Sequence, residues 1–335
     1  MPAGPPSGSA ASSTASEIAD DGMRVHLDTD IGTTMDDLAA LVMLLGWPGV
    51  EMTGITTCID PGGRRAGYVH YILRSAGGDD IPVAAGAEVS MTSSLMPGGI
   101  PDDQGRWPEP VAPAPSPAGA ASRLLADSIE AGATIVAIGP FTNLALLAVE
   151  RPDVIARAHV VMMGGWFDPP PEGLPSWGPA RDWNVQCDTT AARMVTGRAG
   201  MVTMVPLSLT IRAFLRHRQL ARLRAAGPLG RLLAAQAEHE AAERSTGELA
   251  RSSAGLPDDL LAFHHDPLTC AVALGWPGVT FDDRRLAPVL DGGLLQFADS
   301  HDGRLVRIGV DMDAAAFEEM WLSSVEGAEL RSQRR

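Results

Sequence analysis

Short apolar runs alternate with helix-length amphipathic segments from Met23 onward, and this alternation narrows the fold more than any single motif does. "MRVHLD" has the character of a strand, and "DDLAALVMLLG" that of a helix stopping at Gly46, with Pro48 beyond it. "VEMTGITT" predicts a second strand, "GRRAGYVHYILRSAG" a second helix and "IPVAAG" a third strand. Met91 to Ala118, rich in Pro and Gly, predicts a long loop with Trp107 inside it. "ATIVAIG", "AHVVMMGG" and "GMVTMVPL" follow as buried strands, with helices at "FTNLALLAVE" and "DTTAARMVTG" between them. His217 to Ala250 reads as mostly helical, broken at Gly227-Pro228, and the segment after Asp258 returns to a helix and several strands. This pattern implies an α/β fold, a mostly parallel doubly wound sheet flanked by helices around a Rossmann-like core. Ligands of such sheets bind beyond the carboxyl ends of the strands.

The chain has 335 residues, of which 45% are hydrophobic and 20% charged, enough for a large buried core. One catalytic domain over residues 23–330 is expected, behind a disordered Pro/Gly/Ala/Ser tail over residues 1–22 that lacks signal-peptide character. A formal charge of −15 argues against nucleic acid and anionic membranes as partners, and no apolar run is long enough to span a bilayer. All 26 basic residues are arginine, which excludes Schiff-base lysines, a Walker lysine and a kinase-type lysine. Cys58, Cys187 and Cys270 are widely spaced and odd in number, so neither a disulfide framework nor a zinc pattern is expected. A reducing cytoplasm suits them.

"HLDTDIGTTMDDLAALVMLL" places Asp28, Asp30, Asp36 and Asp37 where the first strand ends and its helix begins. Helix capping and the helix dipole account for Asp36 and Asp37, and a strand-end turn for Asp28. A DxD and a DD on one loop exceed those needs and call for a cation, and all-oxygen ligation suits calcium or magnesium.

Two families begin in this way. "DTDIGT" resembles the DxDx[TV] loop of haloacid-dehalogenase-type phosphatases, which implies a magnesium phosphohydrolase with Asp28 as nucleophile, although that family's phosphate-steadying lysine has no counterpart here. The inosine-uridine-preferring nucleoside hydrolase superfamily is matched more widely. After the DxDxG…DD strand and helix, "GITTCID", "IPVAAGAE", "ATIVAIGPFTNLALLAVERPDVIARAHVVMMGGWF", "ARDWNVQCDTTAA" and "FHHDPLTCAVAL" occur in family order from Val25 to Leu274. The resemblance implies a nucleoside-hydrolase-like fold and cleavage of a ribonucleoside to base and ribose. It also implies a Ca2+ cofactor and a homodimer or homotetramer.

Carried over by match, Asp30 ligates calcium and acts as base on its water, with Asp37, the Thr142 carbonyl and Asp266 as further ligands. Asp36, Met163, Asp182 and Asn184 surround the ribose, Asp60 lies near it, and His265 serves the leaving base; His264 beside it matters less. Thr142 also suits a helix N-cap, and Met163 core packing. The chain departs from the family in three places. "TTM" (Thr33 to Met35) lengthens the loop before Asp36, Asp60 or Pro61 falls where an Asn commonly touches ribose, and Asp182 replaces a Glu. Trp166, Trp177 and Trp183 flank the pocket-forming segment and Trp107 lies on a loop able to close over it; an indole there suits stacking of a purine. A relative that binds nucleosides without turnover is the third reading.

Overall fold

The computed structural model describes residues 22–92 and 105–332. The expected disordered tail lies outside the described residues, Gly22 excepted, as does the middle of the expected loop; residues 105–118 are free of helix and strand. The described residues form eleven strands: β1 (Met23–Thr29), β2 (Val50–Thr57), β3 (Val83–Ala85), β4 (Thr134–Ala137), β5 (His159–Met163), β6 (Met201–Val205), β7 (Phe214–Arg216), β8 (Leu260–Phe263), β9 (Val279–Asp291), β10 (Leu294–Asp299) and β11 (Arg304–Met312). The α-helices between β1 and β6 are α1 (Asp36–Gly46), α2 (Arg64–Ala76), α3 (Ala120–Glu130), α4 (Thr142–Glu150), α5 (Pro152–Ile155), α6 (Trp183–Cys187) and α7 (Thr189–Arg198). Those that follow are α8 (Leu207–Thr210), α9 (Leu220–Ala226), α10 (Pro228–Glu243), α11 (Thr246–Ser252), α12 (His265–Ala273) and α13 (Ala314–Ser332).

Nine strands form one sheet in the order β10-β9-β11-β6-β5-β4-β1-β2-β3, while β7 and β8 pair separately. From β3 to β11 every neighbouring pair is parallel; β9 and β10 add an antiparallel edge. The run β3-β2-β1-β4-β5-β6 reverses direction at β1, so helices after β1 and β4 depart to opposite faces and leave a crevice at the strand ends. Alternation along the strands separates two apolar cores. Val25, Leu27, Val136 and Val161 join α1, α10, α12 and α13 in one, and Ile135, Ala137, Val160 and Met162 join α3, α4 and α7 in the other.

Helix α1 is apolar on nearly its whole circumference and is buried accordingly. Its end is sealed by α13. A Cβ on Gly46 would lie 1.7 Å from the Ser324 carbonyl oxygen, so only glycine permits this approach. Trp321, fully buried, donates its indole N–H to the Ala39 carbonyl at 3.3 Å, and Arg331 donates to the Leu45 and Trp47 carbonyls at 3.1 and 2.7 Å.

Candidate active site

The crevice collects the ends of β1, β2, β4, β5 and β8. Asp28, next to the last residue of β1, lies between Thr56 on β2 and Ala137 on β4. It is fully buried: Oδ1 accepts from the Thr56 hydroxyl and from Asn143 Nδ2 (2.7 Å), and Oδ2 has no partner. Burial pushes its carboxyl up to about 7, against the two hydrogen bonds. A nucleophile must reach substrate, and this carboxylate is walled in, so the phosphohydrolase reading lacks its central residue.

Two residues on, Asp30 sits in the rim itself. A Cβ on Gly139, just after β4, would come within 2.9 Å of Asp30 Oδ1 and 2.7 Å of Cys58 Sγ, so a side chain there would push Asp30 out of place. Trp183 opens α6, is 48% exposed, and its indole lies near enough to favour the charged form of the Asp30 carboxylate. Asp36 and Asp37 begin α1, and Asp266 lies in the first turn of α12. One oxygen of each of Asp36, Asp37 and Asp266 lies within 4.8 Å of the others. Burial raises the carboxyls of Asp37 and Asp266 well above the ordinary range; Asp30 and Asp36 add to the rise for Asp37, as Asp36, Asp37 and Asp30 do for Asp266. Asp30 is raised too, first by burial, with Arg65 opposing and Asp36 adding. Among the described residues none of these four carboxylates is paired with an arginine, and Asp36 Oδ1 is buried without a partner. An all-oxygen, buried set of this kind, with no arginine paired to its carboxylates among the described residues, fits a hard divalent cation.

The loop between Asp30 and Asp36 is held from both sides. Arg65, buried in the first turn of α2, donates to the carbonyls of Asp30, Ile31 (2.9 Å) and Ile59 (2.8 Å) and to the Thr33 hydroxyl (3.3 Å). Ile59 has φ 48°, a conformation that β-branched residues rarely adopt, and the Arg65 bond to its carbonyl helps to hold it. Glu240 of α10 accepts from the Met35 backbone N–H at 2.7 Å. Burial, then Asp36, pushes the Glu240 carboxyl up to about 7.

His265 faces the crevice from the start of α12. Its Nδ1 is hydrogen-bonded to Thr210 Oγ1 at 2.7 Å, its ring stacks on Phe263 at 5.3 Å, and Phe263 meets Trp177 edge-on at 5.4 Å. Burial lowers its pKa while Asp36 opposes, which keeps a neutral ring accessible near neutrality. His264 points the other way, against Trp321 at 4.2 Å, and is a core residue.

Other expected site residues are engaged with backbone. Asp60 accepts from the Arg65 and Ala66 N–H groups (2.7 and 3.0 Å) and the Thr57 hydroxyl (2.7 Å), which ties β2 to the first turn of α2. Asp182 caps α6 through Val185 N–H (3.3 Å) and accepts from Gly165 N–H (2.6 Å); burial raises its carboxyl to about 6. Asn184 donates to the Ile138 carbonyl (2.9 Å) and to Met163, whose carbonyl and sulfur are both 3.3 Å away. Thr142 opens α4 and commits its hydroxyl to Asp188 Oδ2 at 2.7 Å, leaving its carbonyl as the group on offer. Trp107 is stacked on Tyr68 at 4.6 Å and meets Tyr71 edge-on, so it is a core residue against α2. The crevice therefore brings together Asp30, Asp36, Asp37, Asp266 and His265, with Asp36 among the carboxylates that could hold an ion.

Arg65, Glu240, Thr210 and Phe263 are the site's additions to the sequence-derived set. For Arg65 a signal existed: an arginine pair opening a helix opposes the helix dipole, which asks for a specific acceptor nearby. Glu240 has Arg244 four residues on, the signature of a solvated helix face, and so pointed away from its role.

Comparison with known proteins agrees with this geometry. The profile described as inosine-uridine preferring nucleoside hydrolase matches residues 25–319. The pyrimidine-specific ribonucleoside hydrolase RihA of Salmonella paratyphi A is 32% identical over 220 residues, 63% of this chain and 68% of that protein. Among solved structures, a plant nucleoside hydrolase (PpNRh1) superposes with a TM-score of 0.75 at 22% identity, covering 91% of this chain and 99% of the other. A purine-preferring ribonucleoside hydrolase from Gardnerella vaginalis gives the same TM-score and coverage at 23% identity. With its carboxylates at the head of a parallel sheet and the family profile running through them, this chain belongs to the inosine-uridine preferring nucleoside hydrolases, enzymes that cleave N-glycosidic bonds.

Proposed function

We propose that the substrate is a ribonucleoside or related N-riboside, that the cofactor is Ca2+, and that Asp30 is the general base. The observation that carries this reading is the meeting of the carboxylates of Asp36, Asp37 and Asp266 at one point of the crevice, with Asp30 outside that group but near enough to raise the Asp37 and Asp266 carboxyls. Asp30, Asp37, Asp266 and the Thr142 carbonyl would hold the ion, with Asp36 close enough to share in holding it or to meet a ribose hydroxyl. A divalent cation bound there supplies a fixed charge that acidifies a water and anchors vicinal sugar hydroxyls.

Asp30 takes the proton of the attacking water. Its two neighbours set it up for this: Gly139 leaves its oxygen room, and the Trp183 indole favours its charged form. As the N-glycosidic bond breaks, positive charge develops on the sugar ring and negative charge on the base. The surrounding carboxylates favour the first. His265, held by Thr210 and the Phe263 ring, serves the second from the far wall by contact with the leaving base. Trp183, half exposed at the mouth, offers a face to the ribose or base. A cytoplasmic homo-oligomer acting on small molecules completes the reading; among the described residues no helix is long and apolar enough to cross a membrane.

The test is a panel of purine and pyrimidine nucleosides assayed for reducing sugar, with and without a chelator. Sugar release that stops on chelation and returns with Ca2+ supports the reading. Release indifferent to chelation sinks the cofactor assignment, and tight nucleoside binding with no release would make this chain a binding relative.

A further inference from the structure

Helix α1 carries two carboxylates of the cluster in its first turn, yet the chain provides it with no cap of its own. Met35 occupies the cap position, and no side-chain cap hydrogen bond is formed there. In a capping box a Glu three residues along reaches back to the N–H of the cap residue. Here Leu38 stands at that place and is buried in the core. The Met35 N–H is satisfied instead by Glu240 Oε2, at 2.7 Å, from a residue 205 positions away on α10. Met35 itself is fully buried, so water cannot take over the role.

The placement of Glu240 is otherwise costly. It is 6% exposed, it faces the field of Asp36, and Arg244, the nearest cation recorded for it, stands 3.7 Å away. It lies outside the group of carboxylates close enough to share an ion. A carboxylate buried beside other carboxylates, but not with them on the ion, needs another reason to be there. The three residues Thr33 to Met35 supply it. They lengthen the loop between Asp30 and Asp36, and Arg65 grips the front of that insertion through the Ile31 carbonyl and the Thr33 hydroxyl. Glu240 grips its rear through the Met35 N–H, while Thr29 holds the Asp37 carboxylate just beyond it.

We propose that Glu240 is a positioning residue, a helix cap supplied by α10 that sets the start of α1 and so aims Asp36 and Asp37 at Asp266. This deepens the cation reading given above and rests on it for its catalytic consequence, but the cap itself is a matter of geometry. Glu240 acts through the Met35 N–H, so its acceptor oxygen and its reach matter and its charge does not. Retention of the ion is thereby tied to the seating of α10, which also carries Glu243, paired with Arg106 of the segment after residue 104.

The experiment separates reach from charge with two variants of the full chain. Glu240→Gln keeps the length and an oxygen acceptor and removes the charge. Glu240→Asp keeps the charge and shortens the reach by one methylene. Three quantities are read: Ca2+ affinity by calorimetry with the metal alone, kcat and KM on whichever nucleoside the panel identifies, and hydrogen exchange of the α1 amides without metal. Glu240→Gln should match the parent in all three. Glu240→Asp should weaken Ca2+ about 10- to 100-fold, the range for residues that orient ligands from behind. It should lower kcat more than it raises KM, and speed exchange at Met35 to Leu38 selectively. Equal damage in both variants would overturn the proposal, because an acceptor of the right reach would then not be enough; so would an undisturbed Glu240→Asp. Were the parent chain to bind no Ca2+ at all, the cation reading would fall, and the exchange data would still decide the cap.

Discussion

At the scale of single residues, His26 shows how a buried polar group can be made to depend on acidity. Thr56 has one hydroxyl proton and gives it to Asp28, so His26 Nε2–H must donate to Thr56 Oγ1 (3.0 Å), and Nδ1 accepts from Ser128 (2.9 Å). Burial pushes this ring down to about 3 from 6.5. The unfolded chain then takes up a proton before the folded one does, so the stability from His26 is complete above about pH 6.5 and drains away as pH falls toward about 3. A fully neutral buried ring contributes at most ~1.4 kcal/mol per pH unit in that window. Denaturant titrations at pH 7 and pH 5 should show a smaller acid loss in His26→Gln than in the parent; equal losses would remove His26 from the account. Asp30 is the other residue with a sharp expectation. Asp30→Asn should lower kcat by about 10²- to 10⁴-fold, the usual worth of a general base, and leave the circular dichroism spectrum and the melting profile of the fold in place. A variant with near-parental kcat would move the base elsewhere.

Elements were easier to foresee from sequence than the partners they bring together. The first strand, its helix, the second strand and the helix opening at Thr189 lie where hydrophobic periodicity and the Gly and Pro stops put them, because local chemistry decides them. The acidic residues at the first strand end were legible for the same reason. Asp60 and Asp182 were legible as acids near a crevice, but not as groups whose oxygens are taken by backbone N–H groups, since helix capping by residues several positions upstream follows from loop shape. Arg65 and Glu240 depend on pairings across 34 and 205 positions, which no local pattern encodes. Gly139 belongs to the same class of long-range information. It reads as a turn residue in "GPFTN", and its actual constraint is the closeness of Asp30. Gly139→Ala should destabilise the protein by about 1–3 kcal/mol, as overpacking does, and depress turnover further by displacing the base. Chemical denaturation together with kcat measures both, and an alanine variant of unchanged kcat would show that the strand end has slack.

For the whole molecule, the acidic cluster sets the balance between loaded and empty forms. Several carboxylates buried together repel, and the fold tolerates them best with a cation between them. Binding to the folded state alone adds RT ln(1 + [L]/Kd), ~2.7 kcal/mol at a hundredfold excess over Kd. Calcium added to chelated protein should therefore raise the melting midpoint in proportion to log concentration, and Asp37→Asn should blunt the rise. A flat response in the parent would say that the ion does not bind this site.

The seal of α13 over α1 has a further consequence, which concerns order of synthesis. A ribosome releases residues 30–37 early, but the partner that covers their helix, centred on Trp321 and Ser324, emerges nearly 300 positions later. Until then the first helix has an open flank where Gly46 awaits its neighbour. Nascent chains must hold that greasy surface safe from strangers until α13 has been made.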